Sequence, residues 1–289
     1  MQTQIDLHAQ YENVIASINP FAQARMGLKP GQTVVKLDTY SIICVPYRLT
    51  MNGAVLIASF SSEELSFFQR YVNGLAGLTL IFQPGGTQNP LKIFARCVLR
   101  SVSPMKGRES IGLIDVAFKP CPPDLETILI DYFMLMDRLK VEYDDFKGKP
   151  ISINPDSAKA MGYNNYSMLA SEGAQAKVAL FALASDSLDF LVPMNGPTLV
   201  QGKPMQMKLF FQSYQFTVPG SIASVTTLQN GVQKARASIQ FSSELVSIIE
   251  QYRFAERFSA KAAQAAPTSQ SSAPPGSMKR PAPGPIRGA

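Results

Sequence analysis

The chain has 289 residues, of which 46% are hydrophobic and 17% are charged, and its formal net charge is +6 at pH 7. This length and composition indicate a globular protein with room for two domains of ordinary size. They argue against a membrane span, because no apolar run approaches the roughly 20 residues that cross a bilayer. The first residues lack a basic segment followed by an apolar one, so we expect no secretory signal and a cytoplasmic location.

Beyond an N-terminal segment, 1–17, the sequence repeats itself in order, which is typical of a duplicated domain. The repeat predicts a first domain at 18–140, a linker at 141–152 and a second domain at 153–258. The matched segments are INPFAQARMG with INPDSAKAMG, TYSII with NYSML, AVLIASFSSEELSFF with KVALFALASDSLDFL, LTLIFQ with MKLFFQ, IFARCVLRSV with FTVPGSIASV, IGLIDVAF with ARASIQF, and DLETILIDYF with ELVSIIEQYRF.

Each domain consists mainly of short apolar runs separated by Gly, Pro and Asn. In the first domain these runs include VVKL, YSIICVPYRL, AVLIASF, LSFF, LTLIF and KIFARCVLRSV. Alternation of apolar and polar residues in KIFARCVL and ARASIQF is typical of half-buried strands, and PGGTQNP predicts a hairpin turn. We therefore expect a mainly β fold with a small antiparallel barrel in each domain.

An amphipathic helix is predicted at the end of each domain. After the prolines of PPDLETILIDYFMLMDRLK, apolar residues recur at helical spacing, and the second domain shows the same stripe after Ser242 or Ser243. The linker sequence DDFKGKP predicts a flexible or turning connection. The apolar stripes consist of Leu125, Ile128, Leu129, Tyr132, Phe133 and Met136 in the first helix and of Leu245, Ile248, Ile249 and Tyr252 in the second.

The remaining segment, 259–289, is rich in Ala, Pro and Ser and carries four basic residues and no acidic one. Such a composition predicts a disordered, solvated tail. Its charge could touch nucleic acid or an anionic lipid surface, but the four charges are widely spread, which favours a solvated tail over nucleic-acid binding.

The sequence lacks the residue patterns that catalytic and metal sites usually need. His8 is the single histidine, and Cys44, Cys97 and Cys121 lack metal-ligand spacing, so we expect no metal and no cofactor. There is no Gly-x-Ser-x-Gly segment and no phosphate-binding glycine loop followed by Lys-Ser/Thr. We therefore expect no enzyme activity.

The pattern of IGLIDVAF followed by PPDLETILIDYF resembles the PilZ family, and ASIQF followed by SSELVSIIEQYRF resembles it less closely. The resemblance implies two six-stranded antiparallel β-barrels, each closed by a C-terminal helix. It also implies a bacterial receptor for cyclic-di-GMP. The segments SFSSEELSF and LASDSLDFLVP are placed by this comparison at the turn between the second and third strands.

Members of this family carry Arg-x-x-x-Arg before the first strand and Asp/Asn-x-Ser-x-x-Gly in the later turn. The first motif is matched by Arg25 and Lys29, although Lys keeps the phosphate charge and loses the planar fork. In the second motif Ser61 matches the family's Ser, while Ser59 replaces the Asp or Asn and Glu64 replaces the Gly. Arg48, which follows a strand, is a further candidate. An ordinary solvated surface charge is the alternative role of each basic residue.

The second domain keeps little of this pattern. Ala160 and Asn164 occupy the basic positions, and Ala182 and Ala184 occupy those of the later motif. We therefore expect a cyclic dinucleotide to bind mainly in the first domain, and the signal to pass to an unidentified protein partner in motility, adhesion or export. The alternative is a degenerate adaptor that binds no nucleotide.

Overall fold

The computed structural model describes residues 4–85, 89–212 and 215–265. In this part of the chain six helices accompany fourteen strands. The helices are α1 (Gln4–Tyr11), α2 (Pro20–Met26), α3 (Ser62–Arg70), α4 (Pro123–Phe146), α5 (Pro155–Met161) and α6 (Ser243–Ala265). The strands of the first half are β1 (Ala16–Ser17), β2 (Thr33–Leu37), β3 (Tyr40–Thr50), β4 (Gly53–Ser59), β5 (Leu75–Phe82), β6 (Leu91–Met105) and β7 (Arg108–Phe118). Those of the second half are β8 (Ile151–Ser152), β9 (Tyr163–Ser171), β10 (Ala174–Leu183), β11 (Ser187–Val192), β12 (Pro204–Phe211), β13 (Gln215–Thr227) and β14 (Gln233–Ile239).

Each half contains a closed antiparallel barrel, as the sequence pattern predicts, and each barrel has the six strands that the family resemblance implies. The first runs in the order β3-β2-β5-β6-β7-β4, and β4 pairs with β3 to close it. The second runs in the order β10-β9-β12-β13-β14-β11, and β11 pairs with β10. The short strands β1 and β8 each add two residues at the side, on β3 and β10. The mainly β fold with closing helices is therefore confirmed.

The helix that precedes each barrel shows why the Ile-Asn-Pro and Met-Gly pairs recur. Asn19 and Asn154 are the N-caps of α2 and α5, and proline occupies the first turn, where no backbone N–H is needed. Gly27 and Gly162 end the two helices in the left-handed conformation, both with φ of 71°. Because these caps recur in both halves, α2 and α5 have the same length and end in the same backbone conformation.

The middle of the repeat is shifted by one strand relative to the sequence comparison. By sheet order β4 corresponds to β11, whereas the sequence pairing places AVLIASF beside KVALFAL of β10. The predicted strand LSFF is wrong, because these residues lie in α3. Its apolar residues pack as one face of a helix: Phe68 is fully buried in the first core, and Leu65 and Phe67 pack against that core.

The closing helix α4 belongs to both cores. Leu125, Leu129 and Phe133 pack in the first core, while Leu139 and Phe146 pack in the second. The helix therefore crosses from one barrel to the other and includes part of the linker that the sequence predicts as flexible. Because this part of the linker is helical, α4 joins the two barrels and contacts α6 of the second half.

The structure describes the N-terminal segment from residue 4 onward, but only the beginning of the predicted C-terminal tail. The N-terminal segment forms α1, which packs on α4: Tyr11 donates a hydrogen bond to Asp137 at 2.9 Å, and His8 lies 2.9 Å from Glu126. The predicted tail begins inside α6, which continues to Ala265, and its remainder, 266–289, lies outside the described residues. No helix in the described ranges combines the length and apolar character needed to cross a membrane.

Candidate functional site

A cavity of about 630 Å³ lies between the two barrels, where α2 of the first half faces β13 and α6 of the second. Both halves contribute to its wall. The residues that matter below are Asn19, Arg25, Gln215, Thr217, Glu244 and Gln251. Its size falls in the range of small-molecule sites.

Arg25 reaches this cavity from the last turn of α2. Its Nη2 donates a hydrogen bond to Ser247 Oγ of α6 at 2.6 Å, and its guanidinium lies 5.1 Å from the centre of the Phe21 ring. Both contacts are with neutral groups, and no ion pair to Arg25 is formed within the described part of the chain. Its positive charge is therefore free to meet an anion.

Glu244 is the acidic group on the opposite wall. Its Oε1 accepts a hydrogen bond from Asn19 Nδ2 at 3.1 Å, and its Oε2 accepts from the hydroxyls of Ser242 and Ser243 at 3.0 and 3.1 Å. The residue also lies in the first turn of α6, where the helix dipole favours a carboxylate. These contacts fix the carboxylate beside Asn19 and the start of α6, where it forms no ion pair with Arg25. Its negative charge would oppose that of an anionic ligand, which favours binding on the Arg25 side of the cavity.

Lys29 lies on the other flank of α2, in a second cavity of about 370 Å³. Its backbone N–H donates to the Ile81 carbonyl at 2.8 Å, which fixes the segment after the helix against β5. The two cavities share Pro20 and Ala24. The structure thus brings the two basic residues to neighbouring cavities, on either side of one short helix.

Gly27 allows this arrangement, because it lies between the two basic residues at the point of closest approach to β5. A Cβ atom on Gly27 would lie only 2.5 Å from the Gln83 carbonyl oxygen. Its φ of 71° is also one that other residues rarely adopt. A glycine is therefore required for the spacing of Arg25 and Lys29.

Arg48 lies outside both cavities, on the outer surface of the first barrel. It pairs with Ser17 of β1 and Val55 of β4, and its guanidinium lies 5.1 Å from the centre of the Tyr47 ring. The structure does not bring it beside Arg25 in either cavity.

Ser59 and Ser61 lie toward the other end of the barrel. Ser59 is four residues along β4 from Val55, the partner of Arg48, which corresponds to about 13 Å at the strand rise. Ser61 caps α3: its Oγ accepts from Glu64 N at 3.1 Å, and its own N–H donates to Glu64 Oε2 at 2.7 Å. The sequence signal for this cap is the Ser-x-x-Glu spacing.

The cavity beside Ser61, of about 710 Å³, contains the carboxylates of Glu63 and Glu64. Hydrogen bonds from the Ser61 N–H and from the Tyr40 hydroxyl hold the pKa of Glu64 below its ordinary value. Both carboxylates would meet an anionic ligand unfavourably. This end of the barrel is therefore poorly suited to a phosphate.

The turn between the second and third barrel strands is the one joining β3 to β4, so its assignment to SFSSEELSF is wrong. If Arg48 is counted as the Asp/Asn position of the family pattern, Thr50 takes the position of Ser and Gly53 takes that of Gly. Thr50 Oγ1 accepts from the Asn52 N–H at 3.1 Å. Counting six strands, with α3 excluded, would have identified this turn from sequence.

The groups from the second half were not found from sequence. Gln215 and Thr217 line the first cavity, and Ser247 contacts Arg25, only because the two barrels are docked. No short sequence pattern records such a contact, since the partners lie about two hundred residues apart.

The two buried thiols of the first barrel are poor nucleophiles. Burial raises the pKa of the Cys44 thiol to about 12 and that of Cys97 to about 11, so both remain protonated. Within the described ranges no three His, Cys, Asp or Glu side chains are grouped so that they could hold a metal ion.

No protein-family model matches the chain, and a search of curated proteins finds no match. Solved structures similar to it include PlzA of Borreliella burgdorferi in complex with c-di-GMP, at 16% identity over 86% of this chain and 97% of that one, with a TM-score of 0.44. YcgR of Escherichia coli in complex with c-di-GMP is similar at 11% identity over 91% and 95%, with a TM-score of 0.28. The PilZ domain of YcgR is similar at 17% identity over 40% and 95%, also with a TM-score of 0.28.

Proposed function

We propose that the protein is a cytoplasmic, non-enzymatic effector that binds cyclic-di-GMP through the first domain and relays this to a protein partner. The observation that carries the proposal is the position of Arg25, at the wall of the cavity between the barrels with its charge unpaired. Arg25 and Lys29 have the spacing of the family's basic motif and directly precede the first barrel strand.

The chemistry of the two cavities supports a ligand with two phosphates and two planar bases. Arg25 can pair a phosphate and stack on a base through its planar guanidinium, while Lys29 offers a point charge. A ligand that extends around α2 from one cavity to the other would meet both cations. Gln215, Thr217 and Gln251 add polar contacts from the second half.

Such a ligand would contact both barrels, which gives it a means of acting on their arrangement. It would compete with Ser247 for Arg25, and this hydrogen bond joins α2 to α6. A ligand shifts the arrangement only if it binds one arrangement more tightly than the other. The relay to a partner would then follow from the changed docking.

Isothermal titration of the full chain with cyclic-di-GMP tests the proposal. We expect binding that is lost in Arg25→Ala and weakened in Lys29→Ala, with Arg25→Lys weaker than the parent because it loses the planar fork. Lys159→Ala is the matched control, since it removes a cation from α5, the equivalent helix of the second half. The absence of heat at tens of micromolar ligand, with folded protein, would contradict the proposal.

The second candidate is an adaptor that binds no nucleotide. It is favoured by the contact of Arg25 with Ser247, which already gives this arginine a role in joining the two barrels. In that case Arg25→Ala would lower the stability of the docked arrangement, and titration with the dinucleotide would give no heat in the parent chain.

A further inference from the structure

The outer surface of the first barrel carries an apolar area on three adjacent strands, β3, β4 and β7. Ile43 and Val45 point outward from β3 and are 64% and 46% exposed. Half-buried apolar residues continue the area on the two neighbouring strands. They are Val55 and Ile57 on β4, and Ile111 and Leu113 on β7. We call these six residues the outer face.

The strand register sets these residues in rows across the barrel. Val45 pairs with Ile57, and Ile57 pairs with Leu113, which forms one continuous apolar row. Such an area on a protein surface commonly marks an interaction site.

The second barrel shows that this fold does not require an apolar surface here. Counted from the first residue of each strand, Ile43 of β3 and Lys177 of β10 occupy the same position. The Lys177 Nζ lies 4.5 Å from the centre of the Tyr166 ring. On β11 and β14, Asp189 forms an ion pair with Arg236 at 2.6 Å. The equivalent of the apolar row in the second barrel consists of Ala179, Leu191 and Lys234, so the continuous apolar row is particular to the first barrel.

Opposite charges lie on the two sides of the outer face. The row next to the apolar one consists of Arg48, Val55 and Asp115, which pair in succession across β3, β4 and β7. The two charged residues are two strands apart, or about 10 Å. Neither forms an ion pair within the part of the chain that the structure describes.

This pattern is self-complementary. A two-fold axis that runs along β4 in the plane of the outer face exchanges its β3 side with its β7 side. Each Arg48 then lies opposite Asp115 of the second copy, and each Val45 lies opposite Leu113 of the second copy. The same operation places Ile57 against its own counterpart, as in any isologous interface.

We propose that the outer face is the interface of a two-fold symmetric dimer of this chain. The apolar rows bury one another, and the two Arg48–Asp115 pairs fix the orientation. The proposal is independent of the nucleotide site, because the outer face lies outside both cavities beside α2.

Sedimentation of the full chain at rising concentration, without nucleotide, tests the proposal. We expect the weight-average mass to rise from that of one chain toward twice that value. Val45→Lys and Ile43→Lys are expected to keep the protein monomeric, and the second places in β3 the residue type that β10 already carries. Val141→Lys is the matched control, because this valine is 62% exposed on α4, away from the outer face, and should leave association unchanged.

Charge reversal tests the symmetry itself. Arg48→Asp and Asp115→Arg should each weaken the dimer by roughly tenfold or more, because each creates two contacts between like charges. The double variant Arg48→Asp/Asp115→Arg should recover association close to that of the parent.

Three results would overturn the proposal. They are a parent chain that remains monomeric at hundreds of micromolar, a dimer that persists in both Val45→Lys and Ile43→Lys, and a folded double variant that associates no better than the single ones. A monomeric parent would mean that a different molecule covers the outer face.

Discussion

Gly53 is the residue at which the hairpin between β3 and β4 passes closest to β7. A Cβ atom there would collide with the Val116 carbonyl oxygen, which belongs to the backbone of the neighbouring strand. The ladder continues on both sides, with Gly53 opposite Ala117 and the Phe118 N–H donating to the Asn52 carbonyl. The barrel can close at this corner because the residue has no side chain.

Gly53→Ala should therefore destabilise the protein, by about 1–3 kcal/mol, because β4 or β7 must shift to admit the methyl group. Chemical denaturation followed by circular dichroism measures the change. Gly85→Ala is the control, since no atom of the described residues lies within 4 Å of the position that its Cβ would take. Equal stability of the two variants would contradict the close packing at Gly53.

Arg25 shows what could and could not be predicted at the scale of single residues. Its spacing from Lys29 and its place before the first barrel strand follow from the sequence. Its hydrogen bond to Ser247 does not, because that contact depends on the docking of two units far apart in sequence. The alternation of residues identified strand interiors well, but it carried no information about contacts between barrels.

At the scale of elements, α3 is the segment in which the structure differs from both the local pattern and the repeat comparison. Four of its residues, LSFF, fit a strand by composition, and the repeat pairs them with a strand of the second half. The cap formed by Ser61 and Glu64, with Tyr40 as a third partner, favours a helix instead. A capping box is thus a stronger local signal here than the β propensity of two phenylalanines.

This cap predicts a pH dependence of stability. Hydrogen bonds to the carboxylate hold the pKa of Glu64 below its ordinary value of 4.5 in the folded chain. The stabilisation from its ionised form is complete above pH 4.5 and is lost as the pH falls through the lower, folded-state pKa. Glu64→Gln should therefore be less stable than the parent at neutral pH, and the difference should shrink on acidification.

Thermal melting of both proteins over a range of pH measures this difference. Glu63→Gln is the matched control, because it removes the adjacent charge and none of the hydrogen bonds of the cap. A gap between Glu64→Gln and the parent that stays constant down to the acid limit would show that the cap does not depend on ionisation.

The regular parts of the fold were predictable because each is encoded locally. The Asn-Pro start and the Gly end specify α2 and α5, and the apolar stripes specify α4 and α6. Which strand of one half corresponds to which strand of the other is harder to predict from sequence. TYSII and NYSML are similar, although the first lies at the start of β3 and the second lies in β9. The additional helix α3 of the first half shifts the sequence comparison of the two halves by one strand.

At the scale of the whole molecule, α4 is the element that the two barrels share. It runs for 24 residues, and its second half fills part of the second core. Arg138 of α4 and Glu250 of α6 form an ion pair beside this packing. Phe21 of α2 also packs in the second core, so the first half contributes to it from two separate elements.

Leu139→Ala should lower the free energy of unfolding by about 2–5 kcal/mol, because this side chain is only 1% exposed and its loss leaves a cavity where α4 meets the second core. Urea denaturation measures the change. Val141→Ala, on the exposed side of the same helix, should change stability by no more than about 0.5 kcal/mol. A Leu139→Ala variant as stable as the control would show that the barrels are not joined through α4.

The crossing of α4 also bears on how the gene could be divided. Gly148 follows the helix at an exposed position with φ of 64°, where a break in the chain disturbs no strand. A fragment ending there would expose Phe21, Leu139 and Phe146 to water, and the complementary fragment would lack these same side chains from its interior. Co-expressed, the two pieces should find each other and behave as a split protein, whereas each alone should aggregate or remain partly unfolded.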